Sequence, residues 1–320
     1  MATLVAIFFV TTAITGLVGL HFAQPRSGSA GGRGGRSVVA VESLPAGFSD
    51  SVVFSGLTNP TAVRFAADGR VFVAEKRGVI QVFDSLSDTS PTTFADFRTN
   101  AYNFWDRGLL GLALSPTFPT DPWVYALYTY DAEIGGTAPK WGSAGADSDP
   151  CPTPPGATTD GCVVSGRLSR FQANGNSAGP EQVLINDWCQ QFPSHSIGSL
   201  AFGPDGMLYS SAGDGASFNY VDYGQSGNPK NPCGDPPGGV GGTQTPPTAE
   251  GGALRSEDNQ TTSDPTTLDG AILRLDPATG AAAPGNPNTG DANAQRIVAY
   301  GLRNPFRFTI RPGTSEVWAP

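Results

Sequence analysis

The chain is 320 residues long, with 42 glycines, 28 prolines, only 15% charged residues and a formal net charge of −9. So many residues that interrupt regular elements, with charged content well below the roughly 25% of ordinary domains, exclude a helical bundle or coiled coil. The 18 Phe, 8 Tyr and 5 Trp exclude full disorder. An acidic chain with 3 Lys and 16 scattered Arg has no basic stripe with which to neutralise nucleic-acid phosphates. The composition describes a loop-rich β protein. Most arginines, among them Arg64, Arg70, Arg77, Arg107, Arg167 and Arg255, read as isolated surface charges.

Residues 1–30 contain an uncharged apolar run, TLVAIFFVTTAITGLVGL, long enough to nearly cross a bilayer core. It reads either as a secretory signal cut near Ala23 or Ala30, or as an uncleaved anchor that tethers the chain to a membrane. Arg26, Arg33 and Arg36 follow the run and no basic residue precedes it, the reverse of the usual charge bias. Residues 31–43 form a flexible linker, and the domain occupies 44–320. Export to an extracytoplasmic compartment also suits the four cysteines, Cys151, Cys162, Cys189 and Cys233, which lack the spacing of a zinc site. Three pairings are open. The simplest joins Cys151 to Cys162 and Cys189 to Cys233, each bond closing a Pro/Gly-rich loop.

From residue 59 onward a weak repeat organises the chain. NPTAVRFAADGRVFVAEKRGVIQVFD (59–84), GLLGLALSPTFPTDPWVYALYTYD (108–131), GSLAFGPDGMLYSSAGDG (198–215) and NPFRFTIRPGTSEVWAP (304–320) share one form. An apolar strand leads to a Pro/Asp/Gly turn and then an aromatic strand. The turns fall near 68, 120, 205 and 313. The first interval, about 50 residues, suits one four-stranded propeller blade. Two insertions, 131–165 and 216–268, lengthen the later intervals and read as long surface loops without hydrophobic periodicity. No amphipathic helix is expected. The fold class is all-β, a β-propeller of which three to four blades are present. The fourth copy stops in mid-pattern, so the chain reads as the first part of a longer propeller, which must close to remove its sheet edges.

No nucleophile elbow, Walker A loop or dinucleotide fingerprint is present, and GGVGG at 238–242 follows no strand. Asp147, Asp149, Asp258, Asp264 and Asp269 lack EF-hand spacing and read as solvated loop carboxylates. The triplet at Asn259 is a formal glycosylation sequon. Two segments carry candidate chemistry. In PSHSIGSLAFGPDGMLYSSAGDG (193–215), His195 stands just before a strand, where loops line the mouth of a β fold and where a histidine can move a proton near neutral pH. A purely structural histidine fits the same position. In AYGLRNPFR (299–307), Arg303 and Asn304 sit in a turn beside Pro305, although Arg303 could equally anchor a buried loop.

Taken in order, WDRGLLGLALSP (105–116), SHSIGSLAFGPDG (194–206), LDGAILRLDP (268–277) and YGLRNPFR (300–307) resemble the glucose/sorbosone dehydrogenase family, over about residues 44–320. The resemblance implies a six-bladed β-propeller quinoprotein that uses pyrroloquinoline quinone (PQQ) and calcium. Such an enzyme oxidises an aldose to its lactone and passes electrons to an external acceptor. By position, His195 resembles the family's general base. Arg303 and Asn304 resemble the pair at the quinone oxygens, Asp106 stands where a glutamine nears the cofactor, and Asn219 approximates another cofactor contact. Ser194 replaces the carboxylate that precedes the base, so the orienting acid is expected to be missing. The family's calcium ligands match positions beyond Pro320. The alternative is a non-catalytic propeller that binds carbohydrate or a protein partner. A lactone hydrolase would need an acidic metal cluster that the sequence does not display.

Overall fold

The computed structural model describes residues 45, 47–215, 233 and 266–320. Outside them lie the apolar run and linker, Asn219, the glycine cluster at 238–242, Asp258, Asp264 and the sequon at Asn259. Among the described residues no helix is long and apolar enough to cross a membrane. The chain divides into Met1–Leu57 and Thr58–Pro320, and among the described residues every regular element belongs to the second unit.

β-branched and aromatic runs form the strands, and glycine turns separate them. The first sheet joins β1 (Pro60–Phe65), β2 (Val71–Glu75), β3 (Val79–Phe83) and β4 (Thr92–Asp96) as an antiparallel meander. Phe65 pairs with Val71, and Val71 with Phe83, so the turn near 68 lies where the repeat predicts it. The second sheet joins β5 (Leu109–Leu114), β6 (Trp123–Tyr130), β7 (Val164–Asn174) and β8 (Ser177–Ala178), with β9 (Gln182–Gln190) also paired to β7. The third joins β10 (Ile197–Phe202), β11 (Leu208–Ala212), β12 (Ala271–Leu275) and β13 (Ile297–Ala299), and β14 (Thr309–Ile310) with β15 (Val317–Trp318) forms a hairpin. β1, β5 and β10 each open a sheet, and β5 packs beside both of the others. This is the arrangement of propeller blades around an axis.

The second blade is buried on both faces. Val124, Ala126 and Tyr128 of β6 face a core shared with Phe72, Ile80 and Val82 of the first blade. Tyr125 and Leu127 face a core shared with Leu200, Leu208 and Leu273 of the third. A strand that alternates between two cores reads as a continuous apolar run, as in WVYALYTY.

A five-residue helix, α1 (Ala292–Arg296), precedes β13; Asp291 caps it by accepting the Ala294 N–H at 2.8 Å. It is too short to have an amphipathic period. Two expectations need correction. Arg107 is not a surface charge but fully buried. Asp149 and Asp269 are buried rather than solvated, because loop packing removes them from water; Asp147 is exposed and pairs with Arg77 and Arg98, both at 2.9 Å.

Both expected disulfides are present, Cys151–Cys162 and Cys189–Cys233. The insertion between β6 and β7 is a surface loop with a buried polar anchor. Asp131 accepts the N–H groups of Trp141 (3.1 Å) and Gly142 (3.2 Å), and the Trp141 indole donates to the Val163 carbonyl at 2.8 Å. Burial raises the Asp131 carboxyl to about 6, against the lowering pull of those N–H groups.

Candidate active site

The starts of the first strands of the blades converge on one mouth of the sheets. The His195 turn leads into β10, Gly213 and Asp214 follow β11, and the Arg303–Asn304 turn follows β13. Backbone bonds tie the three together. Gly213 donates to the Ser196 carbonyl (2.8 Å), Gly215 to the His195 carbonyl (3.0 Å) and Asp214 to the Arg303 carbonyl (2.9 Å). Position 213 must be glycine, since a Cβ there would lie 2.4 Å from the His195 carbonyl oxygen and 2.9 Å from Asn304 Oδ1. His195 adopts φ 51°, a left-handed conformation that few non-glycine residues take up.

The imidazole is buried, and its Nδ1 lies 2.7 Å from Asp214 Oδ1. A carboxylate only accepts, so Nδ1 carries the proton and Nε2 keeps its lone pair in the neutral ring. The orienting acid expected to be missing is therefore present. It comes from the GDG segment after β11 rather than from the residue before the histidine. Ser194, at that earlier position, is buried.

Asp106 joins the same site. Its N–H donates to the Pro193 carbonyl at 3.1 Å, and its Oδ2 accepts the His195 N–H at 3.4 Å. Next to it Arg107 donates to the carbonyls of Cys162 (2.6 Å), Gln190 (3.0 Å) and Phe192 (2.8 Å). Burial pushes that guanidinium down to about 10, so it remains charged at neutral pH and fixes Asp106 against the His195 loop.

Beside this pair opens a cleft of about 290 Å³. Thr61, Lys76, Asp106 and Asn304 supply its polar wall, and Trp105, Leu110 and Phe306 its apolar one. Trp105 is half exposed, also has φ 51°, and stacks on Phe104 with centroids 5.8 Å apart. Lys76 donates to Asn103 Oδ1 at 2.8 Å; burial pushes its ammonium down to about 8, while the charge of Asp106 pulls it upward. A larger cleft, about 510 Å³, lies where β1, β5 and β10 end, at the opposite mouth from His195. Few polar side chains converge there, so the smaller cleft is the candidate site.

Four of the five expected residues thus come together: His195, Asp106, Asn304 in the cleft wall, and Arg303, whose carbonyl holds Asp214 and whose side chain is exposed. Asn219 lies outside the described residues. Sequence reading missed Asp214, Lys76 and Trp105. The GDG segment was the available signal for Asp214, and the scarcity of lysine was the one hint of Lys76.

The sequence pattern of the Glucose / Sorbosone dehydrogenase family matches residues 57–235 and 251–320. The chain belongs to that family. Among its relatives is the hedgehog-interacting protein of Mus musculus, 26% identical over 169 residues that make up 51% of this chain and 22% of the relative. An oxidoreductase (glucose dehydrogenase) from Thermus thermophilus is 27% identical with a TM-score of 0.53, covering 82% of this chain and 56% of that one. The PQQ-bound aldose sugar dehydrogenase of Streptomyces coelicolor, 20% identical with a TM-score of 0.52 over 83% of this chain and 57% of its own, shares the propeller fold. This family member thus spans little more than half of these solved structures and a smaller share of the curated relative.

Three of the cleft's groups, the Lys76 ammonium, the Asn304 amide and the aromatic face of Trp105, suit PQQ, a flat polyanionic quinone, whereas the Asp106 carboxylate in the same wall opposes a polyanion. Calcium is different. Among the described residues no group of three or more His, Cys, Asp and Glu side chains converges to hold a metal ion.

Proposed function

We propose that the protein is an exported PQQ-dependent sugar dehydrogenase that oxidises an aldose to its lactone and passes electrons to an external acceptor. The observation that carries this reading is the His195–Asp214 pair, linked through Asp106 to a cleft with cationic and aromatic walls. His195 Nε2 takes the proton of the sugar's anomeric hydroxyl. Asp214 holds the ring in the tautomer that permits this and stabilises the imidazolium that forms. The quinone, when bound, supplies the hydride acceptor. Asn304 and Arg303 present an amide and a cation toward the oxygens on which negative charge develops, and Asp106 keeps the His195 turn in place.

A second reading has support from the likeness to the hedgehog-interacting protein: a propeller that binds carbohydrate or a protein partner without catalysis. Reconstitution with PQQ and calcium separates the two. Dye reduction by aldoses that His195→Ala abolishes supports the dehydrogenase. Tight sugar binding with no dye reduction supports the binding protein.

A further inference from the structure

Lys76 is the cation built into the wall of the cleft, and three segments of the chain hold it there. Its backbone is fixed on both sides: its N–H donates to the Asn59 carbonyl at 3.0 Å, and its carbonyl accepts the Leu109 N–H at 2.8 Å. Gly108 lies against its stem, where a Cβ would come within 2.4 Å of the Lys76 carbonyl oxygen and 2.8 Å of its Cγ. At the far end Nζ donates to Asn103 Oδ1. Asn103 is itself held by the insertion between β6 and β7: its side-chain amide donates to the Asp147 carbonyl (2.6 Å), and its N–H to Asp149 Oδ2 (3.1 Å). The Asp149 N–H donates back to the Asn103 carbonyl at 3.0 Å.

We propose that Lys76 grips a carboxylate of the bound quinone and that the disulfide-closed insertion sets its position through Asn103. This rests on the dehydrogenase reading. An ammonium has three N–H donors, and the bond to Asn103 occupies one and fixes its direction. In a half-buried cleft, a charge-assisted bond from another to a carboxylate is stronger than one between neutral groups. The exposed face of Trp105 and the Asn304 amide share the cavity, so an anionic, planar ring meets cation, donor and aromatic surface together. A neutral sugar would offer the ammonium no charge beyond that of Asp106 in the same wall. The insertion thereby becomes part of the binding site although none of its residues lines the cavity.

Equilibrium titration of the protein with PQQ, read by tryptophan fluorescence and by dialysis, tests this without turnover. Lys76→Met is expected to weaken PQQ binding about 10- to 100-fold, with Lys76→Arg restoring most of it. Asn103→Ala is expected to weaken it by a smaller factor. The wild-type protein should also prefer PQQ over its trimethyl ester, and Lys76→Met should lose that preference. The ester comparison on the wild-type protein needs no variant to fold. Equal binding of acid and ester by the wild type, or an unchanged preference in Lys76→Met, overturns the role of Lys76. Unchanged affinity in Asn103→Ala overturns the part of the insertion. If the wild type binds no PQQ at all, the dehydrogenase reading falls as well, an outcome distinct from the others.

Discussion

Asp214 Oδ1 lies 2.7 Å from His195 Nδ1, and both side chains are buried, so the histidine at this mouth of the propeller has one tautomer and one orientation. His195→Ala is expected to lower kcat for aldose oxidation about 10²- to 10⁴-fold. Asp214→Asn should cost a comparable factor, because an amide can donate to Nδ1 and so move the ring proton to Nε2. Sugar and PQQ affinities should change little in both. Steady-state kinetics with a dye acceptor, together with binding titrations, check the split.

Arg107 is the largest charged side chain fully buried among the described residues, and it donates to three carbonyls from two separate segments. Arg107→Met leaves those oxygens without a donor and is expected to cost about 3–5 kcal/mol. Urea denaturation followed by circular dichroism should show the lower midpoint. Arg107→Lys should lose less, since it keeps the charge but cannot span all three acceptors.

Asp131 should reverse the usual effect of mild acid. Its folded-state value, about 6, is above the ordinary 3.8. As pH falls from above 6 toward 4, the folded chain binds a proton that the unfolded chain does not yet bind, so this residue's contribution to stability rises. Asp131→Asn should remove that gain. Melting curves at pH 4.5 and 7 are expected to show a larger relative gain at the lower pH for the wild type than for the variant. Carboxylates held low by arginine, such as Asp96 and Asp147, act in the opposite sense, below about pH 4.

The Cys151–Cys162 bond closes a loop of sequence separation 11. Replacing both cysteines by alanine is expected to cost about 2–3 kcal/mol. It should also loosen the segment that carries Asp147 and Asp149, so PQQ affinity should fall in the same direction as in Asn103→Ala. Denaturation midpoints and PQQ titration measure the two effects separately.

The blades were legible because their signal is local. The turn near 68 and the β-branched and aromatic runs of β2 and β3 are written in adjacent residues, and a hairpin pairs residues close in the chain. His195 and Asn304 could be singled out because each sits in a short distinctive segment. Lys76 could not: its own segment carries no distinctive pattern, and its meaning comes from Asn103, which is 27 residues away.

By itself, the sequence determined the strand-and-turn repeat, the all-β class, the family resemblance and the simplest cysteine pairing, all of which depend on local pattern or chain proximity. Only the tertiary structure decided that Asp214, 19 residues downstream, orients His195. The same is true of the burial of Arg107, which bridges carbonyls 55 to 85 residues away, and of the insertion's reach toward the cleft. Those contacts arise where separate blades and loops pack together. Burial then removes water as the competing partner, so polar groups distant in the chain must satisfy one another.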